Sequence, residues 1–430
     1  MNTYIALLRG NRNYRYLWFS AISSQIGDWF NLIASASLIQ ELTSSGSAVS
    51  LLFLVRFVPL FLFSPLAGVL ADRFNRRTLM VASDMLRACT VLGFLLVRDA
   101  GHVWLFYLLT ALQFSLSAIY TPTGTAMLAN IVRRDELVTA NALNSFTWST
   151  MLAVGSLLGG VATGLFGRSA AFVMDAATFL VAGWLMSRIV LPAGLQEARA
   201  ATSRGGWLDF VDGLRYLRGE PYILVLALIK TSGSLVYGAI NVLEIDYAED
   251  VLVVDRLAVG LRAVGGSALV LGLIYTVSGI GTGFGPLLLR RWLGDATERM
   301  RWAIVASFWA LTAGILILAM APSLAWFGVG TLVRTVGSGT LWVFSSSILQ
   351  MVVPDRMRGR VFAFEFAVLT LAQSLSITWA GVAQDSLGWT IRQVTASAAG
   401  VGLVAAVVWL LFQLRTRRRP LGDMVLETGP

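Results

Sequence analysis

One cysteine, Cys89, one histidine, His102, and one lysine, Lys230, occur in the 430 residues. A lone cysteine closes no disulfide within the chain. With a single histidine beside it there is no Cys/His set for zinc or haem, so no metal and no cofactor are expected. Both residues read as ordinary, not as a site. Charge is also scarce. Asp, Glu, Lys and Arg make up 13% of the chain, against roughly 25% in soluble domains. Such a chain cannot cover its own surface in water, and no stretch is hydrophilic enough for a separate soluble domain. The phosphate-cradling pattern G-x-x-x-x-G-K-[ST] is missing, since Lys230 follows Ile229; an ion gradient, not direct ATP drive, is then the expected energy source. No nucleophile–base–orienter set is visible either, so an enzyme is not expected.

What is present is apolar. Hydrophobic residues are 56% of the chain and the mean hydropathy is +0.72. The apolar runs recur at about 25–30 residues, as membrane helices do, not as the ten-residue alternations of a barrel. The expected fold is an all-α membrane protein with twelve transmembrane helices. Their spans are about 14–41, 47–72, 78–98, 102–130, 139–166, 169–192, 221–247, 264–289, 299–320, 323–352, 359–386 and 390–414. The longest polar interruption, 193–220, divides two six-helix bundles, 1–192 and 221–414, and a basic tail covers 415–430. Within the linker, Trp207 to Arg218 place apolar residues at helical spacing, which predicts a short helix lying on the membrane face and tethering the halves. The start, MNTYIALLRGNRNYRYLW, is polar and Arg-bearing and lacks a short apolar core before a cleavage site; it reads as retained.

Arginine placement sets the orientation. With the N-terminus inside, twenty-four arginines fall in cytoplasmic segments and five in outer loops, a strong positive-inside bias. Both termini are then cytoplasmic. The net charge of +9 is topology and attraction to anionic lipid, and no nucleic-acid partner is expected.

Span two ends in Gly68-Val69-Leu70-Ala71-Asp72-Arg73-Phe74-Asn75-Arg76-Arg77. This resembles the signature loop G-x-L-a-D-r-x-G-r-r/k of the Major Facilitator Superfamily, in its proper place between helices two and three. Leu137 to Ser145, Ala171 to Ala176, Val353 to Val361, Asn13 to Trp18 and Gly27-Asp28-Trp29 look like the bacterial exporter branch that includes macrolide-efflux and enterobactin-export proteins. The resemblance covers nearly the whole chain. It implies two pseudo-symmetric bundles, a bacterial cytoplasmic membrane and proton-linked efflux of a small molecule. It also implies a gating role for Gly68, Asp72, Arg73, Arg76 and Arg77. The chain departs from the pattern at Asn75, where the family has glycine; asparagine still tolerates a left-handed backbone. In the second half, Gly285-Pro286-Leu287-Leu288-Leu289-Arg290-Arg291 repeats the loop with Leu289 aligned to Asp72.

The physics of that loop can be read separately. Asp72 leaves the membrane where span eleven begins, and a carboxylate gains from a helix N-terminus. Asp84 lies about two turns into span three, within reach of the loop arginines, as a further part of a charge latch. The alternative is that these arginines are topology anchors only.

Two glycine-rich stretches need separate readings. Gly279-Ile280-Gly281-Thr282-Gly283-Phe284-Gly285 follows no strand, so close helix packing is expected, not a dinucleotide loop. Gly155, Gly159, Gly160 and Gly164 in span five permit tight helix contact and resemble the superfamily's antiporter motif, with Ser156 where proline is expected.

Charges inside spans cost about 2.5–3.5 kcal/mol each on insertion scales, so each is a functional candidate. Asp28 lies mid-span one and Arg56 in the outer part of span two, at depths about 7 Å apart by helical rise. The expectation is that they pair, either structurally or as a site where solute and proton compete. Arg334 sits in span ten. Glu365 sits in span eleven and is expected to meet Arg358 or Arg360. Glu244 lies near the outer end of span seven with Asp246, Glu249 and Asp250, a solvated rim or part of the coupling site. Asp175 in span six is expected to be structural. Candidate cavity residues are Gln25, Asn31, Gln113, Tyr120, Asn144, Trp148, Tyr237 and Asn241, a scattering of polar and aromatic groups that suits an amphipathic, drug-like or siderophore-like solute.

The expected function is therefore a monomeric, proton-coupled antiporter exporting a small amphipathic molecule by alternating access. Its partners would be the solute, protons and membrane lipid. The rivals are a lipid or lysophospholipid flippase of the same fold, an uptake symporter, and a non-transporting membrane receptor or assembly factor.

Overall fold

The computed structural model describes residues 2–43, 45–133, 136–191, 206–252, 256–293 and 297–416. The first part of the linker, 193–205, and most of the basic tail, 417–430, lie outside the described residues. So do the surroundings of Gly68 and the side chains of Asp72, Arg73, Asp250, Asp355, Arg356 and Arg358.

Among the described residues the chain is helical and has no strand. The helices are α1 (Asn2–Gly10), α2 (Arg12–Thr43), α3 (Gly46–Arg73), α4 (Arg76–Gly93), α5 (Val103–Ile131), α6 (Leu137–Ser187) and α7 (Gly206–Gly219). They continue with α8 (Pro221–Ala227), α9 (Ile229–Asp246), α10 (Arg256–Leu293), α11 (Thr297–Met320), α12 (Leu324–Val352), α13 (Asp355–Asp385) and α14 (Ile391–Thr416). Eight helical stretches are long and apolar enough to cross a membrane by length and composition. One of them, Phe146–Ser187, runs for 42 residues. It holds two spans, because Gly167 breaks α6 at φ 82° and ψ 165°, a left-handed conformation that glycine adopts without a Cβ penalty. α2 and α12 carry more polar side chains, and α3 supplies a shorter apolar stretch, Ser47–Phe63. Taking α6 as two spans and α8 with α9 as one, α2 to α6 and α8 to α14 make twelve. This is the fold the sequence analysis expected.

Local chemistry starts these helices. Ser45 accepts a hydrogen bond from the Ala48 amide and Ser323 from the Trp326 amide, each 3.3 Å, which satisfies one of the open N–H groups of the first turn. Asn75 does the same for α4, accepting from Arg77 N at 3.0 Å and Thr78 N at 3.3 Å. Its backbone is extended, φ −62° and ψ 117°. The signature loop thus uses asparagine as a cap, and the left-handed turn that its family counterpart suggested does not form.

The chain divides into two compact units, residues 1–207 with 258–276, and residues 208–257 with 277–430. In the first unit α2 packs along α6, α3 on α5, and α4 on both α5 and α6. In the second α11 packs on α12 and α14, and α9 on α13 and α14. The pairing of the third helix with the fourth and sixth is the same in each unit, as an internal repeat requires.

Lipid is as apolar as leucine, so helix contacts within each unit rest on small residues and on polar side chains that bond across helices. Asn13 Nδ2 donates to Val190 O at 2.8 Å and Val190 N donates to Asn13 Oδ1 at 3.1 Å. Tyr14 donates to Ala140 O and to Asn144 Oδ1, both 3.2 Å; Trp18 Nε1 donates to Thr147 Oγ1 at 2.8 Å. Gly155 and Gly159 face Trp29 of α2, whereas Gly160 faces Gly272 of α10, where an added Cβ would lie 3.1 Å from the Gly272 Cα and 2.8 Å from Ala268 O. In the second unit an added Cβ at Gly285 would lie 2.9 Å from the Val336 Cα. The glycine stretches of α6 and α10 are packing surfaces. α7 belongs to the second unit, where Leu217 is fully buried and Gly213 sits against Arg360, 2.9 Å from a built Cβ to the Arg360 Cβ.

Candidate functional site

Four helices of the first unit bring charge into its interior. Gln25, Asp28 and Asn31 recur at three-residue spacing on α2 and so share a face. On α4, Asp84 and Arg87 are also three apart. Arg87 Nη2 bonds Asp28 Oδ1 at 2.9 Å, and its Nη1 lies 3.6 Å from Asp84 Oδ1. The guanidinium rests over the ring of Phe179 on α6, 4.0 Å from the centroid, with Tyr120 of α5 at 5.9 Å. Such stacking on aromatic faces lowers the cost of holding a cation out of water. Asp84 is fully buried and the Arg87 side chain is 4% exposed, but the Asp28 side chain keeps 35% of its surface.

The expected Asp28–Arg56 pair does not form. Arg56 instead donates to Asn31 Oδ1 at 3.3 Å and stacks over Phe114 at 4.4 Å. Its charged neighbours include Asp28, Asp175 and Arg87. Arg87 takes the place given to Arg56 because α4 brings it onto the face of α2 that Asp28 occupies. It also holds Asp84, which was expected to meet the loop arginines. Of those, Arg77 donates to Ile189 O at 3.1 Å, tying the α3–α4 loop to the residues after α6, and Arg76 is buried.

Asp175 lies on the second half of α6, fully buried. Neither of its oxygens has a hydrogen-bond partner. It presses on α2 at Gly27, where an added Cβ would collide with the Asp175 and Thr178 side chains. Gln113 is equally buried, and both atoms of its amide lack a partner, as does Gln25 Oε1. Tyr120 is half-buried. Trp148 is exposed on α6, and Asn144 serves as an acceptor for Tyr14.

The second unit arranges its charges otherwise. Lys230 Nζ bonds Glu365 Oε2 at 2.9 Å, with side-chain exposures of 4% and 2%. The ammonium lies over Trp342 at 4.7 Å and Phe362 at 5.6 Å. Glu365 was expected to meet Arg358 or Arg360, but α9 packs along α13 and supplies Lys230 first. Arg360 donates to Met357 Sδ instead, at 3.7 Å. Glu244 is buried, not a solvated rim, and pairs with Arg334, which also donates to Ser278 Oγ at 3.3 Å. Asp246 is buried too and accepts from Gln384 Nε2 at 3.1 Å. α9 is therefore pinned by ion pairs fourteen residues apart, about 21 Å along its axis. Tyr237 bonds Ser234 within α9 at 3.1 Å, and Asn241 is half-buried.

Arg87, Lys230 and Asp175 are the residues that sequence reasoning did not place in a site. The three-residue spacing of Asp84 and Arg87, and a single lysine inside an apolar span, were the signals available for the first two. Among the described residues no group of His, Cys, Asp and Glu is arranged to hold a metal ion.

Residues 17–261 match the family description of the Major Facilitator Superfamily. A protein of Bacillus subtilis named as an uncharacterized MFS-type transporter, YfiS, is 25% identical, with 89% of each chain aligned. An MFS-type transporter of Mycobacterium tuberculosis is 27% identical over 83% of this chain and 81% of its own. The putative bacilysin exporter BacE of Bacillus subtilis is 22% identical over 53% of this chain and 56% of its own. Among solved structures, the POT family transporter PepTSo aligns with a TM-score of 0.71 at 15% identity, covering 95% of this chain and 99% of that one. The nucleoside transporter NupG aligns at 0.70 and 12% identity, covering 93% and 99%. At these identities the structures show the fold.

Proposed function

The chain belongs to the Major Facilitator Superfamily, and from that premise we propose that it is a secondary active antiporter that exports a small amphipathic molecule in exchange for protons. The observation that carries this reading is the Asp28 carboxylate. It sits halfway along a membrane helix, keeps 35% of its side-chain surface, and is bonded to a guanidinium that keeps 4%. A group so placed can be reached by a proton and by a solute, while the change in its charge is felt at once by Arg87 in the interior. Protonation of Asp28 weakens its hold on Arg87, and a solute's polar group can take the vacated bond; this is the competition that couples two fluxes. Gln25, Asn31, Gln113 and Tyr120 supply the scattered polar contacts of the solute site.

Export as the direction is supported by the BacE relative, named as a putative exporter, and antiport by the resemblance of the α6 glycines to the superfamily's antiporter motif. The gate is assigned to the loop carrying Asp72, Arg73, Arg76 and Arg77, whose Arg77 is tied to Ile189 O. The bacterial relatives support a bacterial cytoplasmic membrane, and the arginine bias supports both termini inside.

The test is reconstitution in liposomes holding a pH-sensitive dye. A proton gradient is imposed, and dyes, macrolides, siderophores and lysolipids are added in turn, with Asp28→Asn in parallel. Solute-dependent proton flux in the wild type, lost in the variant, is the expected result. Solute movement without proton flux would replace antiport by a flippase or facilitator. Full activity of Asp28→Asn would remove Asp28 from the coupling.

A further inference from the structure

Around Arg87 in the first unit lie three carboxylates, the partly exposed Asp28 and the buried Asp84 and Asp175, and a second guanidinium, Arg56; Arg76, also buried, lies eleven residues before Arg87 on α4, about 16 Å along its axis, outside this cluster. Arginine does not lose its proton inside proteins. Five such groups cannot all be ionised and balanced. An ionised carboxylate out of water without a donor is far costlier than its neutral acid. Asp28 has Arg87 at 2.9 Å; the oxygens of Asp84 also make no hydrogen bond, but Asp84 keeps an ion pair with the same guanidinium at 3.6 Å. Asp175 has no ion-pair partner within 4.0 Å, is fully buried, and neither oxygen completes a hydrogen bond, the neutral amide of Asn31 being the polar donor that faces it. We infer that Asp175 is a proton-binding site, a neutral carboxylic acid while Arg87 is held by Asp28.

The groups that face Asp175 make its occupancy depend on Asp28. From α2 they are Asp28 and Asn31, from α3 Arg56, and from α4 Arg87. Asp84 lies beyond Arg87 on α4, and Tyr120 of α5 faces the same guanidinium. Asp175 and Phe179 are four apart on α6, so they share a face, and Arg87 rests on Phe179. The guanidinium is thus about one helical turn from Asp175. The proton can be exchanged between Asp175 and Asp28: the O–H bond at Asp175 breaks as one forms at Asp28, Arg87 loses Asp28 as its nearest anion, and Asp175 becomes the anion beside it. The reverse transfer restores the first state, and the cluster keeps its count. This rests on the antiport reading for its use, since the relay gives the proton a path from Asp28 into the second half of α6. The resident proton itself needs no solute.

The full chain in lipid nanodiscs, at neutral pH and without any solute, is the sample. Infrared spectroscopy reads the carbonyl stretch of protonated carboxylic acids and its shift in heavy water. The wild type is expected to show a band from a buried acid. Asp175→Asn should remove that band, and Asp28→Asn should leave it. Asp175→Asn should also melt with the wild type, since an amide replaces a neutral acid of the same shape. Absence of the band in the wild type, its survival in Asp175→Asn, or a large fall in that variant's melting temperature or failure to fold would each overturn the assignment. The last two would mean that Asp175 is ionised and balances an arginine. Any of these leaves coupling through Asp28 standing. Loss of transport coupling with the band intact would sink the antiport reading and keep the proton site.

Discussion

The two units treat buried charge in opposite ways. In the second, each interior cation has its own carboxylate: Lys230 with Glu365, Arg334 with Glu244. Around Asp28 in the first, one guanidinium serves two carboxylates, a second is bonded to a neutral amide, and a third carboxylate has neither an ion pair nor a completed hydrogen bond. A matched pair is a fixed joint. Removing one partner leaves a charge with nothing to do but destabilise, so the pair persists through changes of pH and of conformation. An unmatched cluster has to borrow a proton, and a borrowed proton can be returned. The contrast separates a scaffold that pins α9 at two depths from a site that can change its charge.

The sharpest way to break this comparison is to delete a carboxylate on each side. Glu244→Gln strands Arg334, which cannot shed its charge. The expected loss is about 3–5 kcal/mol of stability, the usual consequence of removing one partner of a buried pair. Thermal unfolding in detergent should show it at every pH from mildly acid to mildly alkaline. Glu365→Gln strands a lysine, which can lose its proton. Its unfolded chain then binds more protons than the folded one, so the folded variant recovers as pH rises. Equal and pH-independent losses from the two variants would mean that the pairs are not what holds α9.

Next in size is the functional arm. Asp28→Asn keeps a side chain that can accept from Arg87 but not take up a proton. Proton-driven solute flux should fall on the order of 100-fold, as removal of a proton-transferring group typically gives, with folding unharmed. Glu365→Asp, which keeps the charge of a joint in the other unit, should leave the dependence of flux on the proton gradient unchanged. If the two variants lose coupling alike, the division between scaffold and site fails.

Much of this was legible in the sequence, for reasons that also mark where legibility ends. Long apolar runs and arginine clusters give the spans to within several residues, as with 264–289 expected against Arg256–Leu293, and Gly167 falls at the boundary expected between spans five and six. Depth along a helix can be counted in this way. Rotation about its axis cannot, because each residue turns by about 100° and the neighbouring helix is unknown. Asp28 and Arg56 lay about 7 Å apart in depth, near enough to pair by count but not by direction, so Arg87 took the bond. Glu365 and Lys230 are 135 residues apart, and only the packing of α9 on α13 joins them. Asp175 was visible as a charge inside span six and was read as structural, because nothing in the pattern shows whether a carboxylate will meet a partner. Asn75 was read by its tolerance of a left-handed turn, whereas capping chemistry decided its conformation.

The comparison extends to packing, at smaller amplitude. Gly160→Leu places a branched side chain where a Cβ would already meet Ala268 O at 2.8 Å. Gly285→Leu does the same against the Val336 Cα in the second unit, at 2.9 Å. Overpacking of this kind costs about 1–3 kcal/mol. If the α6–α10 contact slides during transport while the α10–α12 contact stays fixed, Gly160→Leu should depress flux beyond its effect on melting, and Gly285→Leu should depress melting alone. The reverse pattern would place the moving contact in the second unit.

The smallest effect concerns the signature loop, where the units differ again: Asp72 in the first is Leu289 in the second. Asn75 accepts from two amides of the first turn of α4, and Asn75→Ala should remove about 1 kcal/mol, the usual worth of such a cap. Asn75→Gly should lose only a few tenths, since glycine is itself an adequate cap. If the loop is a gate whose closed form depends on the start of α4, the alanine variant should also raise the accessibility of a cysteine introduced at Thr78 to a water-soluble thiol reagent, in a Cys89→Ser background. Glycine, the residue of the family pattern, should not. An alanine variant with lowered stability and unchanged labelling would show that the cap holds α4 in place without taking part in the gate.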